Sequence, residues 1–317
     1  MKLTILNNNN IMNFKKTTLF FALVILLTGS TSSLQGSTLE NSLLWRVSGN
    51  GLEQSSYLFG TQHLIPVSFL DGVYGWREAF ERTEQVVGEL DMSNMAELQM
   101  QILQHAMMPE GVTYESLLSA EDLALLDSEL TSMFGVGLAQ LGIINPAALR
   151  LEIMGALYQR YFPMTPGESI DGYFQEKAIA RSRPIRALDT FESQIYALYG
   201  VNTIERQAEL LLCMLRHPEA TIEFHFRLNE LYKAFNISGL YELNRELSEN
   251  SPCPPTEEEI NALTVNRPLR CIDQLSSIIQ EKPSFIAVGA LHLPGEHGLI
   301  EGLRRAGYTV EAVKSSN

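Results

Sequence analysis

The apolar positions fall into two rhythms along the chain. Short, dense runs bounded by Gly, Asn or Pro occur at Leu43–Val47, Ser56–Phe59, Gln85–Asp91, Pro184–Asp189, Ser284–Val288 and Tyr308–Val313. Such runs predict strands, and the turn Ser48-Gly49-Asn50-Gly51 predicts that the first two form a β-hairpin. Elsewhere apolar residues recur at three- and four-residue spacing, which predicts amphipathic helices. These cover Val73–Glu84, Ala120–Phe134, Pro146–Tyr161, Ile170–Arg181, Ile204–Arg216, Leu228–Leu247 and Gly298–Ala306, with Gly307 as the stop of the last. Strands dominate both ends and helices the middle, about 93–250. The expected fold class is α/β (α+β), a mixed β-sheet core carrying a large helical insertion within a single domain at 37–317.

One local pattern occurs twice. The strand at 56–59 runs into Gly60-Thr61-Gln62-His63, and the strand at 284–288 runs into Gly289-Ala290-Leu291-His292. Each Gly-x-x-His is followed by a helix and a strand. Two such units predict an internally duplicated core. Ligands in α/β folds sit in the crevice at strand ends, where both histidines fall. A glycine three residues before each leaves room for close backbone approach, so Gly60 and Gly289 read as supports of the motif. Two neutral imidazoles are natural ligands for a borderline divalent metal. Glu89, ending the strand after the first motif, is placed to bind that metal or to take a proton from water. Each residue also has a plain structural reading, as a hydrogen-bonded histidine or a paired acid, and spacing alone leaves the two open.

Composition narrows the class further. At 45% hydrophobic and 19% charged residues, the chain is a folded globular protein. Lys15-Lys16, the apolar run from Leu19 to Leu27 and the small polar tract after it match a signal peptide at 1–36, so the protein is expected to be periplasmic or secreted. The run is too short for a membrane span. Residues 1–36 hold three lysines and no acids, so their removal takes the formal charge from −14 to −17. A chain that acidic repels nucleic acid and anionic membrane. Cys213, Cys253 and Cys271 imply one disulfide and one thiol. Cys253 and Cys271 close the shortest loop, and Cys213, in an apolar run, reads as a buried thiol.

The other four histidines have plainer readings: His105 in a Met-rich helix, His217 at a helix end, His225 packed between Phe224 and Phe226, and His297 in a polar loop. His-Glu-x-x-His, Gly-x-Ser-x-Gly, Walker A and Gly-x-Gly-x-x-Gly motifs are absent, which removes ordinary zincins, serine hydrolases of the elbow type, P-loop enzymes and dinucleotide folds.

Several stretches together resemble the TraB/GumN (TraB/PrgY/GumN) family. They are Leu44-Trp45-Arg46-Val47, Tyr57-Leu58-Phe59-Gly60-Thr61-Gln62-His63, Val87-Gly88-Glu89-Leu90-Asp91, Ser169-Ile170-Asp171, Ala187-Leu188-Asp189-Thr190 and Ile286 through Gly295, in order over about 43–313. The family includes the Tiki metal-dependent peptidases and is related in fold to erythromycin esterases and haem-binding ChaN-like proteins. The resemblance implies His63, His292 and Glu89 as site residues, with Asp189 a further ligand where the family commonly carries glutamate. Asn266-Arg267 stands where the family often has Arg-Asn. The implied function is hydrolysis of a peptide or protein substrate with Mn²⁺ or Co²⁺, while imidazole and carboxylate ligands also suit Zn²⁺ or Fe²⁺. A peptide-sequestering protein without catalysis ranks second, and a haem-binding protein third.

Overall fold

The computed structural model describes residues 39–162, 169–256, 259 and 268–314. The signal-peptide segment at 1–36 and the pair Asn266-Arg267 lie outside the described residues, as does the side chain of Cys271. The described chain clusters into two compact units. One is built from the described parts of 25–94, 168–194 and 226–317, the other from those of 95–167 and 195–225.

The first unit holds one six-stranded sheet. Its strands are β1 (Leu44–Ser48), β2 (Ser56–Thr61), β3 (Gln85–Gly88), β4 (Ile185–Ala187), β5 (Ser284–Gly289) and β6 (Thr309–Ala312). The order across the sheet is β4-β3-β5-β2-β1-β6. β4, β3, β5 and β2 pair in parallel, while β1 is antiparallel to both β2 and β6. The β1–β2 hairpin forms at the expected turn, where Gly49, Asn50 and Gly51 all take positive φ. Every residue of β2 and of β3 is buried, which is why these runs read as continuously apolar rather than alternating. The sheet order does not establish the expected duplication. β5 separates β2 from β3, whereas both β2 and β1 separate β5 from β6. A repeat of the first unit would seat β6 beside β2, where β1 stands.

An aromatic cluster fixes the Ile170–Ala180 helix on this sheet. The Phe174 ring lies 4.6 Å from Phe285 of β5, 5.1 Å from Phe59 of β2 and 5.6 Å from Trp76 of the Trp76–Glu81 helix. Burying a side chain of this kind is worth about 1.5–3 kcal/mol. Ser169 starts the helix by accepting from Gly172 N–H at 3.0 Å. The anchored Phe174 therefore holds the first turn, with Asp171, in one place.

The single helix expected over Leu228–Leu247 is two. Pro218–Lys233 ends where Phe235 adopts φ 57°, and Ile237–Asn250 begins two residues later. Phe235 N–H donates to Tyr232 C=O and Asn236 N–H to Leu231 C=O, the paired bonds of a Schellman stop. Asn236 then caps the next helix by accepting from Gly239 N–H at 2.8 Å. A phenylalanine in the left-handed position leaves no Gly or Pro to announce the break. The helix Pro268–Glu281, which packs on Leu299–Arg305, is a further element the sequence pattern did not single out.

The second unit is helical. Ala120–Phe134, Pro146–Tyr161 and Ile204–Arg216 pack on one another at the expected bounds. Ser119, Asn145 and Thr203 cap them by accepting from Asp122, Ala148 and Arg206 N–H. Cys213 and Cys253 are both disulfide-bonded. Cys213 is half-buried and is therefore not the inert, buried thiol expected from its apolar run, because neighbouring side chains on a helix point in different directions. No helix among the described residues is long and apolar enough to cross a membrane.

Candidate active site

The four adjacent parallel strands end side by side, and each delivers one candidate residue just past its carboxyl end. Asp189 follows β4, Glu89 follows β3, His292 follows β5 and His63 follows β2. The sheet thus places residues far apart in sequence along one edge, where open α/β sheets bind ligands.

Glu89 is the centre of this edge. It is 8% exposed, and its Oε1 accepts from Gly289 N–H at 2.8 Å and lies 3.3 Å from His292 Nε2. Burial by itself pushes the carboxyl up, but the charges of His292 and His63 and the Gly289 N–H outweigh it and hold Glu89 well below the usual carboxylate range. Glu89 is therefore an anion in a buried site. Its second oxygen, Oε2, is buried and meets no hydrogen-bond donor among the described residues. A buried anionic oxygen without a donor is costly unless a cation or proton donor reaches it.

His63 is also 8% exposed and is held from behind. Its Nδ1 lies 2.6 Å from Asp171 Oδ2, while Thr61 Oγ1 donates to Asp171 Oδ1 at 2.6 Å. Gln62 turns the other way, donating to Asn229 Oδ1 at 3.1 Å and accepting from Leu64 N–H at 2.7 Å. Tyr232 O–H donates to Gly60 C=O at 2.9 Å. Burial and then the Asp171 charge raise the Tyr232 phenol well above its ordinary value, so it remains a donor. The motif loop is fixed at each successive residue from Gly60 to Leu64.

The motif glycines are required by close packing, not by backbone angle, since neither is among the positive-φ residues. A Cβ on Gly60 would stand 2.9 Å from Leu293 Cδ1 and 3.1 Å from Ala290 Cα; one on Gly289 would stand 3.2 Å from Glu89 Oε1.

The structure thus brings His63, His292, Glu89, Gly60 and Gly289 into one neighbourhood. Asp189 joins through its backbone, donating its N–H to Glu89 C=O at 3.0 Å. Its carboxylate accepts from Thr190 N–H at 2.9 Å and from Gln194 Nε2 at 3.4 Å, as an acid before a helix does. Asp171, Thr61, Asn229 and Tyr232 are the residues sequence reasoning missed. Asp171 stands in one of the stretches that resemble the family, but an acid two positions after a capping serine also reads as a helix-dipole partner, so nothing assigned it to the site.

No three His, Cys, Asp or Glu side chains among the described residues already stand around a common metal position. The donor chemistry nevertheless fits a divalent cation: two imidazoles and one ionised carboxylate, whose Oε2 is buried and meets no donor among the described residues.

This edge carries a histidine-bearing motif on each of two neighbouring parallel strands and a buried carboxylate beside them, at the strand ends where open α/β sheets bind ligands. The chain matches the TraB/PrgY/gumN family over residues 43–312 and belongs to it. It is also similar to a zebrafish (Danio rerio) protein named Metalloprotease TIKI2, at 23% identity over 315 aligned residues. That alignment covers 86% of this chain and 61% of the relative, so this chain spans about three fifths of that protein's length. No solved structure matches the chain.

Proposed function

We propose that the chain is an exported, divalent-metal-dependent hydrolase that cuts peptides, with His63, His292 and Glu89 as its central residues. The observation that carries this reading is the ionised, buried Glu89 beside His292, with one oxygen that meets no donor among the described residues. The family membership and the relative named as a metalloprotease point the same way. A divalent ion, when bound, supplies Lewis acidity that activates water and polarises an amide carbonyl at neutral pH. His63 and His292 would hold it through imidazole nitrogens, with Glu89 Oε2 as a third donor and Asp189 as a fourth candidate. Gly289 N–H pins Glu89 Oε1, leaving Oε2 to bind the cation or to accept a proton from the attacking water. Burial of the edge strengthens these electrostatic interactions relative to water.

The test is the metal content of the full chain beside His63→Ala and His292→Ala, after exposure to Mn²⁺, Co²⁺ or Zn²⁺, followed by peptide cleavage with the loaded protein. One ion per chain, lost in both variants, is the expected result. Glu89→Gln separates the two roles of that residue. Loss of the ion makes Glu89 a ligand; loss of turnover with the ion retained makes it the proton acceptor. No bound ion in any form removes the hydrolase reading. An ion together with a peptide that returns intact leaves a sequestering protein.

A further inference from the structure

The two carboxylates nearest the motif histidines are not equivalent. Glu89 has one oxygen with no hydrogen-bond donor among the described residues. Asp171 has each of its oxygens engaged, Oδ1 by Thr61 Oγ1 and Oδ2 by His63 Nδ1, both at 2.6 Å. It is 8% exposed and sits in the first turn of a helix anchored through Phe174 on β2 and β5. Its charge is also felt by the buried Tyr232, which is itself bonded to Gly60 at the start of the motif. Asp171 is thus built into the wall behind His63 by contacts to two elements other than its own.

We propose that Asp171 is a positioning residue that keeps His63 in the tautomer protonated on Nδ1, so that the ring presents its Nε2 lone pair for ligation. The inference rests on reading His63 as a site residue. A carboxylate offers no proton, so the proton of the 2.6 Å contact belongs to the imidazole Nδ1. The ring lone pair is then on Nε2, the opposite of the tautomer that free histidine prefers in water. The Thr61 hydroxyl fills the other oxygen and stops the carboxylate from rotating away. A histidine held this way by a carboxylate is pre-oriented before any ligand arrives. Thr61 is the last residue of β2, Asp171 comes from a helix and His63 from the motif loop, so the orientation is set by tertiary packing.

The experiment uses the metal-free full chain, at a pH where imidazole is neutral, and reads the ¹⁵N resonances of His63, assigned by their disappearance in His63→Gln. The expected spectrum has a pyrrole-type signal at Nδ1 and a pyridine-type signal at Nε2. Asp171→Asn, whose amide oxygen still accepts and whose NH₂ can turn to Thr61, should preserve it. Asp171→Ala should shift His63 toward the Nε2-protonated form. An Nε2-protonated ring in the unsubstituted protein overturns the proposal whether or not Asp171→Ala folds. Unchanged signals in a folded Asp171→Ala overturn it as well. Neither reading depends on metal or on peptide cleavage, so failure of the hydrolase assignment is recorded separately.

Discussion

At the scale of single residues, the site histidines were legible because the chain has only six histidines and two of them share a local context. Asp171 was not legible: it stands 108 positions from His63, and nothing in its own neighbourhood names that partner. His225 shows what burial alone does to the same side chain. It is 2% exposed, with its ring 5.2 Å from Tyr158 and 5.5 Å from Phe224 and with no hydrogen-bond partner on either nitrogen among the described residues. Burial pushes its imidazole down to about 4. The folded value lies below the ordinary one of about 6.5, so folding favours the neutral ring. The stability this confers is fully present above pH ~6.5 and is lost as pH falls from there through about 4. Over that interval the loss attributable to His225 is about 3 kcal/mol. Urea midpoints measured from pH 7.5 down to 4.5 should therefore fall more steeply for the natural chain than for His225→Phe. Equal slopes would assign the acid sensitivity to other groups.

At the scale of elements, most helices and strands followed from apolar periodicity because each has one face or run that must be buried. The break at Phe235 escaped because its stop signal is a backbone conformation, not a residue type. The motif glycines give a prediction that separates packing from chemistry. Gly60→Ala drives a Cβ against Leu293 and the Ala290 backbone, where β2 meets the second motif. It should cost about 1–3 kcal/mol, read as a lowered denaturation midpoint. Gly289→Ala meets chiefly the Glu89 carboxylate, a side chain that can swing aside. That variant should keep most of its stability but bind Mn²⁺ more weakly, seen by titration calorimetry. If Gly289→Ala loses stability as Gly60→Ala does and keeps its metal affinity, the glycine serves the strand and not the carboxylate.

For the whole molecule, the cysteines carry a prediction. Cys213 and Cys253 are disulfide-bonded, as suits an oxidising compartment. After denaturation without reductant, neither should react with iodoacetamide, and peptide mapping should find both unmodified. Reduction should lower stability by about 2–4 kcal/mol, seen as a fall in the thermal midpoint. Alkylation of both cysteines in the unreduced protein would contradict the bonded state. Sequence spacing left the pairing open because it measures only loop length along the chain. Which thiols meet is decided by how the folded segments lie in space.

The sequence by itself determined the six strands and the longer helices of strong apolar periodicity, and it set the two motifs and Glu89 at strand ends. Those are local properties: a strand or helix is written in the spacing of its own apolar residues, and a strand end in the glycine that follows. The tertiary structure alone decided that β5 lies between β3 and β2. From that order come the pairing of Glu89 with His292 and Gly289, the nearness of His63, and the seat of the helix that delivers Asp171. Strand order depends on which distant faces pack best together, and no single segment carries that information.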